Sequence, residues 1–382
     1  MKNSYVCNVF AVVLLIMSLV ASASAGVRPP SVTATLNPGE FLEINKEVDV
    51  PEVPVKIDVF LLENETGSFG DDIANLKALA PQIFDRVRLE APDSRFGVGG
   101  FRDFPFSPWG ESSNCWAYRL LQDMTSDKTT FVNGVNQLTA AGGADDPESQ
   151  YEAFYQAATG AGKTAYGYTI PSGQNPSFRP DAFKVIIMAT DNLFHDSLDD
   201  GTPGPYPGPS RNTAVNALIA ASITVIGLES YPGSLPKLED VASATGGVVM
   251  STSASGNDVA DAIMAALGEL TYDITGGSQG LDPPLKVTFT PTKHEDVEGP
   301  TTVTFVERIE VPMGTTPGTY TGKAIFKADG GIIGEQSIRI TVPGGAIPYL
   351  SQWGLIGLML VILALATWVF FWRRRAVRRK LT

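Results

Sequence analysis

Short apolar runs alternate with segments of helical periodicity through the middle of the chain. The first run, residues 55–62, is apolar at most positions, which is typical of a strand covered on both faces of a sheet. From Asp71 onward, apolar residues recur at helical spacing. Further apolar runs lie at 95–101, 183–190, 223–228 and 247–250, and further helical patterns lie at 150–159, 212–222, 236–245 and 258–270. This alternation predicts a doubly wound, Rossmann-like α/β domain over residues 54–271.

Both flanks of this segment carry strand patterns with turn residues between them. Residues 31–50 predict two extended segments around a turn at 37–40. After residue 285, strands are predicted at 287–289, 302–305, 309–311, 319–326 and 337–342. The second flank alone, at about 60 residues, is small for a sandwich. We therefore expect residues 26–53 and 272–344 to form one small β-sandwich into which the α/β domain is inserted.

The two ends of the chain carry targeting patterns. Residues 1–25 combine Lys2, an apolar run and a small-residue cleavage site, which together predict a secretory signal peptide. Residues 355–372 form an apolar span long enough for one transmembrane helix, and six basic residues follow it. The sequence thus predicts an exported chain that is attached to the membrane through this helix, with its bulk outside the cytoplasm.

Composition narrows the classes of partner. The chain of 382 residues has 41 acidic and 28 basic residues and a net charge of −13. Such a surface repels nucleic acid and suits divalent cations, so we expect no nucleic-acid partner. Of the two cysteines, only Cys115 remains after signal cleavage, which excludes an intrachain disulfide.

Oxygen-bearing side chains follow the first strand of the predicted α/β domain, where ligands of open α/β sheets bind. The run Asn64-x-Thr66-x-Ser68, followed by Asp71-Asp72, resembles the metal-binding loop of von Willebrand factor A (vWA) domains in its integrin β-subunit version. Asn64 stands where that family has Asp. Three further loops resemble the family in order: 101–108 around Asp103, 143–148 with Asp145, Pro147 and Glu148, and Thr190-Asp191.

The resemblance implies three adjacent cation sites. A central Mg²⁺ or Mn²⁺ would be held by Asn64, Thr66, Ser68, Glu148 and Asp191. Flanking Ca²⁺ sites would use Asp71 and Asp72 on one side and Asp103, Asp145, the Pro147 carbonyl and Glu148 on the other. Hydroxyl, carboxylate and carbonyl oxygens are ligands that suit these ions and argue against zinc. Gly143 stands where the family has an Asn ligand.

A second resemblance concerns the C-terminal segment, residues 345–382. The sequence Ile-Pro-Tyr-Leu-Ser-Gln-Trp-Gly at 347–354 is similar to the sorting signal of bacterial exosortase substrates, which is followed by one helix and an Arg-rich end. It implies an exosortase-type processing enzyme as a partner, anchoring in an inner membrane, and release after processing to the cell surface or the extracellular matrix.

The resemblance implies a non-enzymatic adhesion or protein-binding module that captures an acidic partner group through its cation. Two alternatives stay open. One is a structural envelope or matrix protein whose metal sites only rigidify loops. The other is a metal-dependent hydrolase that uses Asp191 and His195. Because no nucleophile or second base accompanies His195 in the sequence, we interpret it as a hydrogen-bonded loop histidine.

Overall fold

The computed structural model describes residues 26–54, 56–111, 114–197, 205–229, 235–252, 259–344, 359–363 and 367.

The described part of the chain begins with three strands, β1 (Val27–Arg28), β2 (Ser31–Thr35) and β3 (Phe41–Val50). It then enters an α/β region in which the described residues form six α-helices and eight strands. In chain order these are β4 (Lys56–Asn64), α1 (Gly70–Glu90), β5 (Asp93–Phe101), β6 (Arg119–Thr125), α2 (Lys128–Val135), α3 (Gln150–Thr159), β7 (Lys163–Ala165), β8 (Tyr168–Ile170), β9 (Phe183–Ala189), α4 (Arg211–Ala220), β10 (Ile223–Glu229), α5 (Pro236–Ala244), β11 (Val249–Ser251) and α6 (Val259–Gly268).

The α/β region is built on a six-stranded sheet of order β11-β10-β9-β4-β5-β6. Its strands are parallel except β6, which pairs with β5 in the antiparallel sense. The central strand β4 is buried at every position after Lys56. A strand covered on both faces gains from apolar residues at successive positions rather than at alternate ones, which explains the continuous run in the sequence. The five predicted strands and five predicted helices of this region are present.

Two parts of this region lack a strong sequence signal. The edge strand β6 (Arg119–Thr125) has no buried residue, so it carries neither an apolar run nor a clear alternation. Helix α2 contains Thr, Asn and Gly, which are weak helix formers, and its N-terminus is stabilised by Asp127, whose side chain accepts a hydrogen bond from the Thr130 amide. Neither element was predicted, because tertiary context determines both.

Two further sheets combine strands from the two flanks. After α6 the chain forms β12 (Thr271–Gln279), β13 (Lys286–Thr290), β14 (Lys293–Glu298), β15 (Thr301–Glu310), β16 (Gly318–Ala328) and β17 (Gly331–Val342). One sheet has the order β1-β3-β15-β13, and the other has the order β14-β12-β16-β17-β2. Phe289 and Phe305 of the first sheet pack against Phe326 of the second, with ring centroids 5.3 and 5.4 Å away. The two sheets therefore share an aromatic core. The domain boundaries at residues 53, 271 and 344 stay predictions.

The α/β region joins these sheets through two chain segments. The chain leaves β3 at Val50 and returns at Thr271, where β12 begins. The buried Tyr272 hydroxyl donates to the carbonyl of Glu52 in the outgoing segment at 3.1 Å. Its ring also packs edge-on against Phe183 of β9, with centroids 5.3 Å apart. The two connecting segments are thus bonded to each other and to the central sheet.

The predicted targeting segments fall mainly outside the described residues. These are the signal peptide at 1–25, the sorting sequence at 347–354, and the 355–372 span except 359–363 and 367. Within the part of the chain that the structure describes, no helix is both long and apolar enough to cross a bilayer.

Candidate metal centre

The predicted ligand loops meet at one edge of the central sheet. Asn64 ends β4 and is in register with Phe101 at the end of β5, while its neighbour Glu63 is in register with Ala189 at the end of β9. Because these strands are parallel, Asp103 and Asp191 follow at the same edge. A 3₁₀ turn, Gly67–Phe69, then leads from Thr66 into α1.

Asn64 binds the loops after β4 and β9 together. Its side chain is fully buried, and its Oδ1 accepts a hydrogen bond from the Thr66 amide at 2.8 Å. Its Nδ2 donates to Asp191 Oδ1 at 3.0 Å and to Thr190 Oγ1 at 3.3 Å. The Thr66 and Ser68 hydroxyl oxygens lie 3.3 Å apart. The central loop is therefore ordered by amide hydrogen bonds, with an N–H group where the family pattern has a carboxylate.

A second cluster forms around His195. Its Nε2 lies 3.3 Å from Asp103 Oδ2 and 3.3 Å from Asp145 Oδ2, and one ligand atom from each of the three residues falls within 4.8 Å of the others. The imidazole stacks on the Tyr206 ring with centroids 4.2 Å apart, and the Tyr206 hydroxyl donates to Asp103 Oδ1 at 3.1 Å. The sequence interpretation of His195 as a hydrogen-bonded loop histidine did not connect it with the ligands. The structure places it between two of them, Asp103 and Asp145.

Glu148 lies between the two clusters. Its loop is fixed to the one after β9, since the Glu148 amide donates to the Leu193 carbonyl and the His195 amide to the Glu148 carbonyl, both at 2.8 Å. Gly143, with φ of +80°, lies against this side chain, because a Cβ there would be 3.0 Å from Glu148 Oε1 and 3.1 Å from Thr66 Cβ. An Asn at this position would adopt a left-handed backbone conformation that L side chains rarely take, and its Cβ would fit only if the neighbouring side chains shifted by a few tenths of an ångström.

The remaining predicted ligands lie at the rim of this edge. Asp72 is half-buried in the first turn of α1, whereas Ser68, Asp71 and Asp191 are exposed. Pro147 is half-buried. The burial of Asp72 and its closeness to Asp71 and Asp191 raise its pKa to about 6.

The donor set fits a cation. Three buried carboxylate oxygens, Asp103 Oδ2, Asp145 Oδ1 and Glu148 Oε2, have no hydrogen-bond partner among the described residues. Burial raises the pKa of Glu148 to about 9, and the neighbouring carboxylates of Asp145 and Asp146 contribute. Burial also holds the pKa of Asp103 well above its usual range, with Glu148 adding to the effect. Grouped buried carboxylates are costly unless protons or a cation neutralise them.

The stability of the metal-free protein should therefore fall as pH rises. The pKa of Glu148 is 4.5 for the ordinary group and about 9 in the fold, so folded protein holds this proton more tightly than the unfolded chain does. The stabilisation is complete below the lower value and is lost as pH approaches the upper one. We expect thermal melts in EDTA to show a loss of at least ~1 kcal/mol over this range. The Glu148→Gln variant should flatten the dependence, and equal slopes for both proteins would contradict this account.

A network of charged side chains surrounds Glu65, next to the edge of the central sheet where the predicted ligand loops meet. This edge is called the metal edge below. The fully buried Glu65 carboxylate accepts hydrogen bonds from Trp116 Nε1 at 3.0 Å, from Arg119 Nε at 2.9 Å and from the Thr139 amide at 2.8 Å. The Trp116 ring lies between two guanidinium groups, those of Arg102 at 3.6 Å and Arg119 at 3.7 Å. Nothing in the sequence pattern singled out Glu65, whose partners are more than 50 residues away.

Comparison with known proteins points to the same part of the chain. Residues 51–204 match the family model of the integrin beta chain VWA domain. Integrin beta-5 of Bos taurus is 25% identical over 218 residues, which cover 51% of this chain and 26% of that protein. Integrin beta-4 of Homo sapiens is 25% identical over 186 residues, covering 45% and 9%. The chain thus spans about a quarter or less of these relatives.

Structural comparison gives a weaker likeness. A von Willebrand factor type A protein from Catenulispora acidiphila aligns with a TM-score of 0.39 and 13% identity, over 82% of this chain and 72% of that one. The family match and the integrin relatives support a vWA domain of integrin β type in the matched residues.

Proposed function

We propose that this chain, with its vWA domain of integrin β type, is an exported adhesion or protein-binding module that captures an acidic partner group through a divalent cation. One observation carries the proposal. At the ligand edge of the sheet, Asp103, Asp145 and Glu148 each have a buried carboxylate oxygen without a hydrogen-bond donor among the described groups, and Asp103 and Asp145 converge on His195. A bound cation would compensate their charge and leave the exposed rim of the site accessible to a partner.

The predicted metal ligands would be divided between a central ion and flanking ions. Thr66, Ser68, Glu148 and Asp191 would hold Mg²⁺ or Mn²⁺, with Asn64 acting as the buried bridge between their loops. Asp103, Asp145 and Glu148 would hold the flanking ion, for which Ca²⁺ was predicted from oxygen ligands alone. His195 changes that expectation, because an imidazole nitrogen favours transition-metal ions over Ca²⁺. Asp71 and Asp72 would hold a second flanking ion on the other side of the central position. A bound ion supplies positive charge that attracts carboxylates in an acidic surface.

The location follows from the predicted ends of the chain. We propose export through the signal peptide, membrane attachment through residues 355–372, and processing by an exosortase-type enzyme. The module would then act outside the cytoplasm, at the cell surface or in the matrix. Its partner would be a protein or another ligand with accessible carboxylates, and nucleic acid would be repelled by the negative net charge.

Cation binding is tested by calorimetric titration of the purified chain with Mg²⁺, Mn²⁺, Ca²⁺ and Zn²⁺. We expect at least one ion to bind and Asp103→Ala to lose part of the binding heat. Asp85→Ala is the matched control, because Asp85 lies on the surface of α1 with its side chain 64% exposed, and its loss should leave the titration unchanged. Absence of binding by all four ions would exclude cation-mediated capture.

Adhesion is tested separately with beads that carry the purified chain. The beads should adhere to a surface of carboxylate groups in the presence of the bound ion, and EDTA or a surface of amide groups should abolish adhesion. Ion binding without any preference for the carboxylate surface would favour the structural alternative, in which metal sites only rigidify loops.

A further inference from the structure

Three polar side chains that belong to neither the metal cluster nor the Glu65 network lie in the core of the two β sheets. Lys46, Glu307 and Gln336 are each 1% exposed or less. Lys46 of β3 is in register with the buried Phe305 of β15, and Glu307 is two residues further along the same strand. Both therefore face the interior from one sheet. Gln336 faces the interior from β17 of the other sheet, on the same side as the buried Ile338 and Ile340.

The three groups approach one another around one backbone oxygen. Lys46 Nζ lies 3.1 Å from Glu307 Oε2 and donates to the Pro29 carbonyl at 3.5 Å. Gln336 Nε2 donates to the same Pro29 carbonyl at 3.1 Å. Gln336 Oε1 has no hydrogen-bond donor among the described residues. An amine, a carboxyl group and an amide carbonyl are thus enclosed together.

A buried ion pair alone is a poor explanation for this arrangement. Removing a lysine and a glutamate from water carries a large desolvation cost for each ion, and their Coulomb attraction often fails to offset that cost. Burial lowers the pKa of Lys46 and raises the pKa of Glu307. Both shifts favour the neutral amine and the neutral acid. A neutral buried amine is a nucleophile, and a neighbouring carboxyl group can transfer its protons.

We propose that Lys46 and Gln336 form an intramolecular amide cross-link, with Glu307 as the group that moves the proton. Lys46 Nζ attacks the Gln336 side-chain carbonyl carbon, so a new N–C bond forms and the bond from that carbon to Nε2 breaks. Glu307 accepts one proton from Nζ and delivers one proton to the departing nitrogen, which leaves as ammonia. No oxidation or reduction occurs, and no co-reactant is needed. The product joins β3, before the α/β region, to β17, after it.

The test is the mass of the purified full chain, followed by peptide mapping. We expect the wild type to be lighter by one ammonia than the mass calculated for the chain between its observed termini, and to yield a branched peptide that links Lys46 to Gln336. Lys323→Met is the matched control, because Lys323 is an exposed lysine of β16 paired with Glu335, and it should keep the loss of ammonia. Glu307→Gln keeps the shape of the side chain but removes the proton carrier, so this variant should have its full mass.

The remaining outcomes overturn the proposal. A full-mass wild type means that no cross-link forms. A loss of one water with a Lys46–Glu307 peptide means that Glu307 is the reacting group and not the proton carrier. A loss of ammonia without the Lys46–Gln336 peptide places the change elsewhere. Because mapping of the wild type decides between these results, the test holds even where Glu307→Gln fails to fold.

Discussion

Replacing Glu65 by alanine should lower the free energy of unfolding by about 3–5 kcal/mol, the cost of breaking a buried charge pair by removing one partner. The Glu65 carboxylate neutralises Arg119 and satisfies the Trp116 indole N–H and the Thr139 amide, all beneath the metal edge. Without it, the half-buried Trp116 and Arg119 side chains and the Thr139 amide lose their acceptor. The Arg102 guanidinium, which donates to the Glu65 carbonyl and stacks on Trp116, would also lose its rigid support.

Urea denaturation measures this effect. If the unfolding free energy depends on urea concentration with the same slope in both proteins, the shift in the midpoint of the transition gives the change in stability. Glu47→Ala is the control, because Glu47 also pairs with an arginine, Arg28, but both side chains are more than half exposed. An exposed pair contributes about 0–1 kcal/mol, so that variant should remain close to the wild type. If Glu65→Ala and Glu47→Ala cost the same, the network beneath the metal edge is not a stabilising unit.

Replacing Asn64 by aspartate should make the fold dependent on a divalent cation. In the metal-free protein the new carboxylate would be buried and would face Asp191, whose Oδ1 now accepts a hydrogen bond from the Asn64 amide at 3.0 Å. Two carboxylates at such a distance repel, and we expect a loss of about 1–3 kcal/mol. With a cation bound, the additional negative charge should instead raise the affinity on the order of tenfold, or about 1.4 kcal/mol.

Thermal melts in EDTA and in saturating Mg²⁺ or Mn²⁺ separate these effects. The variant should melt below the wild type in EDTA, and the cation should raise its melting temperature more than that of the wild type. Asn133→Asp, on the exposed face of α2, adds the same charge outside the site and should change neither melt by more than about 0.5 kcal/mol. Equal cation effects on Asn64→Asp and the wild type would show that no ion binds next to residue 64.

The strands and ligand loops of the α/β region were predictable because their signals are local. The buried run of β4 and the helical spacing after Asp71 each lie within one segment of chain. The proximity of His195 to Asp103 and Asp145 depends on the packing of three loops, so its position shortly after Asp191 does not indicate which carboxylates it meets. The same holds for Tyr206, which reaches Asp103 from a Pro/Gly-rich loop.

The burial of Lys46 and Glu307 could be predicted only in part from the sequence. The alternating pattern of β3 places Lys46 on the same face as Val48 and Val50, so the sequence contains a charged residue at an interior position. Glu307 falls between the two strands that the sequence predicts at 302–305 and 309–311, whereas β15 continues from Thr301 to Glu310. Alternation identifies which residues face inward, but only the strand order shows which of them meet.

The double connection between the α/β region and the β sheets has a mechanical consequence. A tensile load between the ligand edge and the C-terminal end of β17 would be shared by two chain segments in parallel, one after Val50 and one before Thr271. The hydrogen bond from Tyr272 to Glu52 couples these segments, so the α/β region would resist swivelling under load more than a domain held by a single linker. A module of this construction would transmit force from the ligand edge to β17 with little relative rotation of its two regions.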